Sequence, residues 1–536
     1  MTAVRMRFAA AALVIACGAL ARADAAAPEA ALAAGRKLYL EGKRADGLPL
    51  VAARAGGLAV SGPEAACAAC HRRSGLGGAE GQSYIPPIDA ASLFAARAPG
   101  TGASAGGAGR PAYSEAALAR AIRAGVDPGG RRLDYLMPRY ALQEAEIEAL
   151  VAYLHGLSTR RSPGVEAGLV QFATVVVPGA GAASRRAMIE VLDACFDEHN
   201  SGPAPERGRK RLAPEMRLAE QRKWKLQVWE LEGKAQSWAA QLAEYARRTP
   251  VFAVVGGLGG GNWGPVHEFC EREGLPCLFP RVEVPVTRET GFYALYLSRG
   301  VLLEAAIVAR HLAGEAQGAK RALQVLRADD ESARAGAEAL RRMLAARGIE
   351  SEERAIAKAG ALDARMFDAG SSDALVLWLR ADDLRRLRAL NPGPTTVYLS
   401  AMLGGGEQAP LPAKWKPRAL MAYPYELPQE RAASTARLHA WLGARGLPAR
   451  DEAVQADAYL ACSVLGAAMN EAEGHLHRDY LVERLEAIVG RGGFPGHYPN
   501  LSLGAGQRFS SKSGYLVRFS DPKSTRIEAL GERVAP

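Results

Sequence analysis

Apolar positions recur every three or four residues over Ala30–Glu41, Ser114–Ala124 and Glu144–Leu157. That spacing predicts three amphipathic helices. Ser114 can cap the middle one, with Glu115 at its positive end. Ser158 to Gly164 then breaks the helical period. Beyond it, β-branched runs alternate with helical stretches. Strands are expected at Leu169–Val177, Lys225–Leu231, Val251–Val255 and Pro276–Phe279, and helices at Ala183–Glu198, Gln236–Arg247 and Trp263–Glu273. A second set follows, with helices at Val301–Ala313, Ser332–Arg347 and Asp382–Ala389 and strands at Ala322–Arg327, Ala374–Leu379 and Thr395–Ser400. Late helices are expected at Ala456–Gly474 and Asp479–Gly490. Repeated βα alternation implies parallel sheets covered on both faces. The expected chain is therefore multidomain: an all-α unit over residues 26–158, a linker over 159–165 and an α/β unit with two sets of elements over 166–536.

The first residues fit neither unit. Arg5 and Arg7 precede an apolar run of 13 residues, Phe8–Leu20, and then Ala21-Arg22-Ala23. This is the layout of a signal peptide, residues 1–23, cleaved before Asp24. The run falls short of the ~20 residues a spanning helix needs, and no other segment is long and apolar enough. A rival reading makes Val14-Ile15-Ala16-Cys17 a weak lipobox with Cys17 as lipid anchor. Either way the protein is expected outside the cytoplasm, in the periplasm.

Composition adds limits. The chain has 536 residues, 49% hydrophobic and 23% charged, a globular balance that excludes a disordered or fibrous chain. The net charge of +10 is spread thinly, so a solvated basic surface is expected and nucleic-acid binding is not. The basic run Arg207–Lys225 reads as a solvated loop, with a docking surface for an acidic partner as the alternative.

Seven cysteines are present. Two of them form Cys67-Ala68-Ala69-Cys70-His71. In an exported chain this spacing reads as attachment of one c-type haem. Two thiols add across two vinyl groups, and the adjacent histidine falls beneath the iron as proximal ligand. Zinc needs four ligands, and this segment offers no second Cys/His cluster. A thioredoxin-like site needs a βαβ setting that is absent. Met137 is the one methionine between residues 26 and 158, which marks it as the second axial ligand. A core gap-filler is its other reading. His155, at a helix end, reads as a surface histidine. Iron held by His71 and Met137 has no open position, which favours electron transfer over catalysis. Cys195, Cys270, Cys277 and Cys462 are left either free or paired.

On these residues, 29–158 resembles class I cytochrome c. The resemblance implies that the first and last helices cross closely at Gly35. It also implies that a proline carbonyl in Tyr84-Ile85-Pro86-Pro87 accepts the Nδ1 proton of His71. Gly100–Gly109 reads as a mobile insertion.

Residues 166–536 resemble type I periplasmic solute-binding proteins of the branched-chain amino-acid class. The carriers are Val254-Val255-Gly256-Gly257, Gly274-Leu275-Pro276-Cys277 and Gly300. The resemblance implies two lobes joined by three crossings, with a small-molecule ligand in the cleft. The chain has Gly260, Gly261 and Asn262 where amino-acid binders carry a Ser or Thr. Asn262, Trp263, Arg299, Arg380 and Tyr423 are the cleft candidates, each with a structural role as its alternative.

Two functions follow. The first is a periplasmic mono-haem electron carrier serving a dehydrogenase or respiratory acceptor, joined to a binding domain. The second is a solute receptor in which haem gauges redox state. No nucleophile–base constellation points to an enzyme.

Overall fold

The computed structural model describes residues 28–536 apart from 55, 81–82, 99–108, 202–221, 289–290, 315–317, 358–361, 473 and 495. The signal-peptide reading, Cys17, most of the Gly100–Gly109 insertion and most of the basic run fall outside the described residues. The chain divides into two compact units, residues 1–161 and 162–536.

The first unit is framed by helices. They are α1 (28–41), α2 (Cys67–His71), α3 (Ala90–Phe94), α4 (Glu115–Ala124) and α5 (Glu144–Gly156). α1 buries Leu38 and Tyr39 against α5, where the rings of Tyr39 and Tyr153 lie 5.2 Å apart. A methyl group on Gly35 would sit 2.0 Å from the carbonyl oxygen of Ala149, so only glycine lets the two helices approach this closely. The Ser114 hydroxyl accepts from the Ala117 N–H at 3.2 Å, and Gly125 ends α4 at φ +68°. The Glu146 carboxylate closes the start of α5 by accepting from the Gln143 N–H at 2.9 Å.

Short strands supplement the helices of this unit. β1 (Val51–Ala53), β2 (Ala59–Ser61) and a later strand (Arg139–Tyr140) form an antiparallel sheet. Alternation explains it: Ala52 and Val60 point into the core while Val51 and Ala53 face solvent. A small two-stranded ribbon, Gly78–Glu80 with Ser83–Ile85, follows α2.

The second unit holds two seven-stranded sheets. The first is entirely parallel and is centred on Leu169–Val176, whose neighbours are Lys223–Glu230, Ala253–Val255 and Leu258–Gly259. Seven of the eight residues of the central strand are buried, as expected where both faces are covered. The second sheet runs Glu350–Ile356, Arg321–Arg327, Ala374–Trp378, Thr396–Ser400, Ala419–Tyr423, Tyr515–Phe519 and Ile527–Ala529. Its last two pairings are antiparallel.

The chain passes between the lobes three times. Val301–Leu312 starts the second lobe's core. After Tyr423 the helices Ala432–Gly443, Glu452–Glu471 and Arg478–Val489 return to the first lobe, where Leu442, Leu465 and Leu485 share a core with Phe172 and Leu192. The chain then re-enters the second sheet at Tyr515. A Cys195–Cys462 disulfide ties helix Ala182–Ser201 to helix Glu452–Glu471 across 267 residues of sequence. Cys270 and Cys277 are buried thiols that hydrogen-bond one another.

Candidate functional site

The core of the first unit encloses a cavity of about 310 Å³. Three of the residues singled out in the sequence sit on one wall. α2 is a single turn, and it presents Cys67, Cys70 and His71 to the cavity. The turn is stopped by Arg72 at φ +67°. Met137 lines the same space. It follows a turn closed by Asp134, whose carboxylate accepts from the Leu136 N–H at 2.9 Å and whose carbonyl accepts from the Met137 N–H at 3.2 Å. Ile122, Leu150 and Leu154 make the lining apolar from α4 and α5.

His71 is buried, and its ring donates from Nδ1 to the Pro86 carbonyl at 3.0 Å. Of the two prolines singled out in the sequence, Pro86 is therefore the partner. Gly77, at φ +67°, makes room for this loop: a methyl group there would lie 2.2 Å from the Ile85 carbonyl oxygen. Burial lowers the imidazole's affinity for protons, against a smaller opposing effect of the Pro86 bond. The ring is thus neutral, with Nδ1 committed and Nε2 left as a lone-pair donor. Burial also pushes the Cys67 thiol up to about 12.

These donors suit a covalently attached haem. A neutral imidazole with an oriented Nδ1–H is a good axial ligand. A wall that disfavours a thiolate accommodates an uncharged thioether. Zinc needs four ligands, and no group of three or more metal-ligating side chains occurs among the described residues. His155 is exposed and stacks on Phe94 with ring centres 3.7 Å apart, and it does not line the cavity.

In the second unit four of the five cleft candidates are engaged elsewhere. Asn262 accepts from the Gly264 N–H at 3.2 Å at the start of helix Gly264–Arg272. Trp263 is 1% exposed and belongs to the first lobe's core. Tyr423 is fully buried in the second lobe, with its hydroxyl between Glu407 and Arg431. Trp263 and Tyr423 are therefore core residues, the structural alternative to their reading as cleft residues. Arg299 is exposed over the Phe509 ring at 5.3 Å.

Arg380 alone sits where the lobes meet. It pairs with Glu283 at 2.5 Å, next to a first-sheet strand, and with Asp330 at 2.6 Å, beyond a second-sheet strand. Ser332 also donates to Glu283, at 2.5 Å. Alongside, a methyl group on Gly261 would lie 2.4 Å from Glu331 Cβ. Glycine thus stands in this loop because the opposite lobe presses on it. Glu283, Asp330 and Ser332 escaped the sequence reading because nothing local marks residues that meet only through the fold. Arg54, a further cavity-lining residue, escaped it for the same reason.

Comparison with known proteins gives two kinds of result. Residues 60–158 match the Cytochrome c family. Among solved structures, the chain is similar to a leucine-binding protein from Thermotoga maritima, at 12% identity and TM-score 0.48, over 68% of this chain and 99% of that one. It is similar to a branched-chain amino-acid transporter protein from Thermus thermophilus with bound valine, at 13% identity and TM-score 0.49, over 69% and 97%. A third is the branched-chain amino-acid transporter substrate-binding protein from Streptococcus pneumoniae in complex with isoleucine, at 14% identity and TM-score 0.49, over 67% and 99%. No curated protein matches the chain.

Proposed function

We propose that this chain is an exported, mono-haem electron carrier whose second unit binds a small molecule or a partner. The observation that carries the reading is the convergence of Cys67, Cys70, His71 and Met137 on one apolar cavity, within a segment that matches cytochrome c. Haem bound there supplies a one-electron Fe(III)/Fe(II) couple.

The rest is the work of this chain's residues. Cys67 and Cys70 would anchor the porphyrin through thioethers. His71 would hold the iron, and the Pro86 carbonyl keeps its ring from turning and strengthens it as a donor. Met137 would be the second ligand, and a thioether favours the reduced state. Iron held by both residues would leave no site for a substrate, which favours electron transfer over catalysis. The apolar walls exclude water. Tyr84 and Leu136 line the cavity yet are exposed, which offers a periplasmic dehydrogenase or respiratory acceptor a short approach.

The alternative, a solute receptor with haem as redox gauge, draws on the two-lobed second unit. The two readings separate in one experiment: the midpoint potential of the holoprotein, with and without candidate ligands. A potential that shifts on ligand addition couples the units. A potential indifferent to every ligand, together with a permease that depends on the protein, favours the receptor.

A further inference from the structure

The residues that line the haem cavity include few charges. Arg54 is the one arginine or lysine among them. It lies at the end of β1, where its N–H donates to Leu58 at 2.8 Å and its carbonyl accepts from Gly57 at 3.1 Å, closing the β1–β2 hairpin. Backbone hydrogen bonds thus fix where the side chain starts. Among the described residues the side chain has no ion pair, and its Nε is buried with no hydrogen-bond partner. Its charge is felt by the Tyr140 hydroxyl, which donates to the Ala65 carbonyl at 2.9 Å, just before α2. The cation therefore stands close to the cysteine-bearing turn.

A buried guanidinium nitrogen without an acceptor is costly, so its place in an otherwise apolar wall asks for an anion. Among the lining residues Glu64 and Asp134 carry carboxylates, and neither pairs with it. The anion the cavity receives comes with the porphyrin, whose edge carries two carboxylates. We infer that Arg54 is a positioning residue that pairs with a haem carboxylate. The β1–β2 hairpin, which precedes the haem-attachment motif, thereby sets the porphyrin's seating and raises its potential. A fixed positive charge beside the ring stabilises the reduced, less positive iron more than the oxidised one.

This assignment rests on the haem reading, and its test keeps the two apart. Full-length holoprotein is made in an exporting host as wild type, Arg54→Met and Arg54→Lys, and each midpoint potential is measured by spectroelectrochemistry. Arg54→Met should keep its low-spin spectrum while the reduced-to-oxidised ratio at a fixed potential falls about tenfold, a drop of about 59 mV for a one-electron couple. Arg54→Lys retains the charge and should lie nearer wild type. A coloured, low-spin Arg54→Met with the wild-type potential overturns the assignment. So does an Arg54→Lys that falls as far as the methionine variant, since charge is then not what matters. If Arg54→Met matures without haem, the lysine variant alone decides. A wild type without haem would instead defeat the haem reading itself.

Discussion

At His71, burial and one hydrogen bond act together: the first keeps the ring neutral and the second fixes which nitrogen faces the cavity. His71→Ala should therefore abolish the low-spin visible spectrum of the holoprotein. Met137→Ala should leave haem attached but admit carbon monoxide or cyanide at the vacated position, and should lower the midpoint potential. An unchanged spectrum and potential in Met137→Ala would reject Met137 as a ligand. A different prediction concerns Glu304, which is fully buried in the second lobe. Desolvation raises its carboxyl to about 8, against smaller opposing bonds from Ser400 and the Met402 N–H. Its folded-state value lies above its unfolded one, so its contribution to stability is complete below about pH 4.5 and is lost as pH rises through 8. Glu304→Gln should flatten that decline, read as denaturation midpoints from pH 5 to 9. The cavity-lining turn was legible because Cys67, Cys70 and His71 stand within five contiguous residues, and Met137 stood out as the one methionine of residues 26–158 and lines the same cavity. For Trp263 and Tyr423, position near a strand end does not say which way an aromatic ring turns, and both lie in the cores.

Among the elements, helix crossings and long-range links do most to hold each unit. Gly35→Val would force a side chain into the Ala149 carbonyl, so overpacking should cost about 1–3 kcal/mol or more, seen as a lower melting temperature of the first unit. Cys195–Cys462 joins two helices of the first lobe. The Cys195→Ala/Cys462→Ala pair should lose about 2–4 kcal/mol. All seven tryptophans lie between residues 224 and 441, so tryptophan fluorescence in urea reports this unit alone, and an unshifted midpoint would argue against the link. The βα alternation revealed the paired lobes because buried parallel strands are runs of apolar residues. Glu350–Ile356 was not legible: it is an edge strand with charged, largely exposed positions, as edge strands often are. Tyr515–Phe519 was equally hidden, because it pairs with Ala419–Tyr423, whose start lies 96 residues earlier in the sequence.

For the molecule as a whole, one strongly specified centre in the first unit carries the functional account, and the second unit supplies a two-lobed frame whose cleft is bridged by Glu283, Arg380 and Asp330. The most direct test of the central claim is the haem content of the purified chain. Protein from an exporting host with intact haem-attachment machinery is denatured and examined by intact mass and by its alkaline pyridine spectrum. The account predicts one porphyrin per chain, still attached after acid-acetone extraction and absent from Cys67→Ala/Cys70→Ala. A colourless wild-type chain with the mass of the polypeptide alone would contradict it.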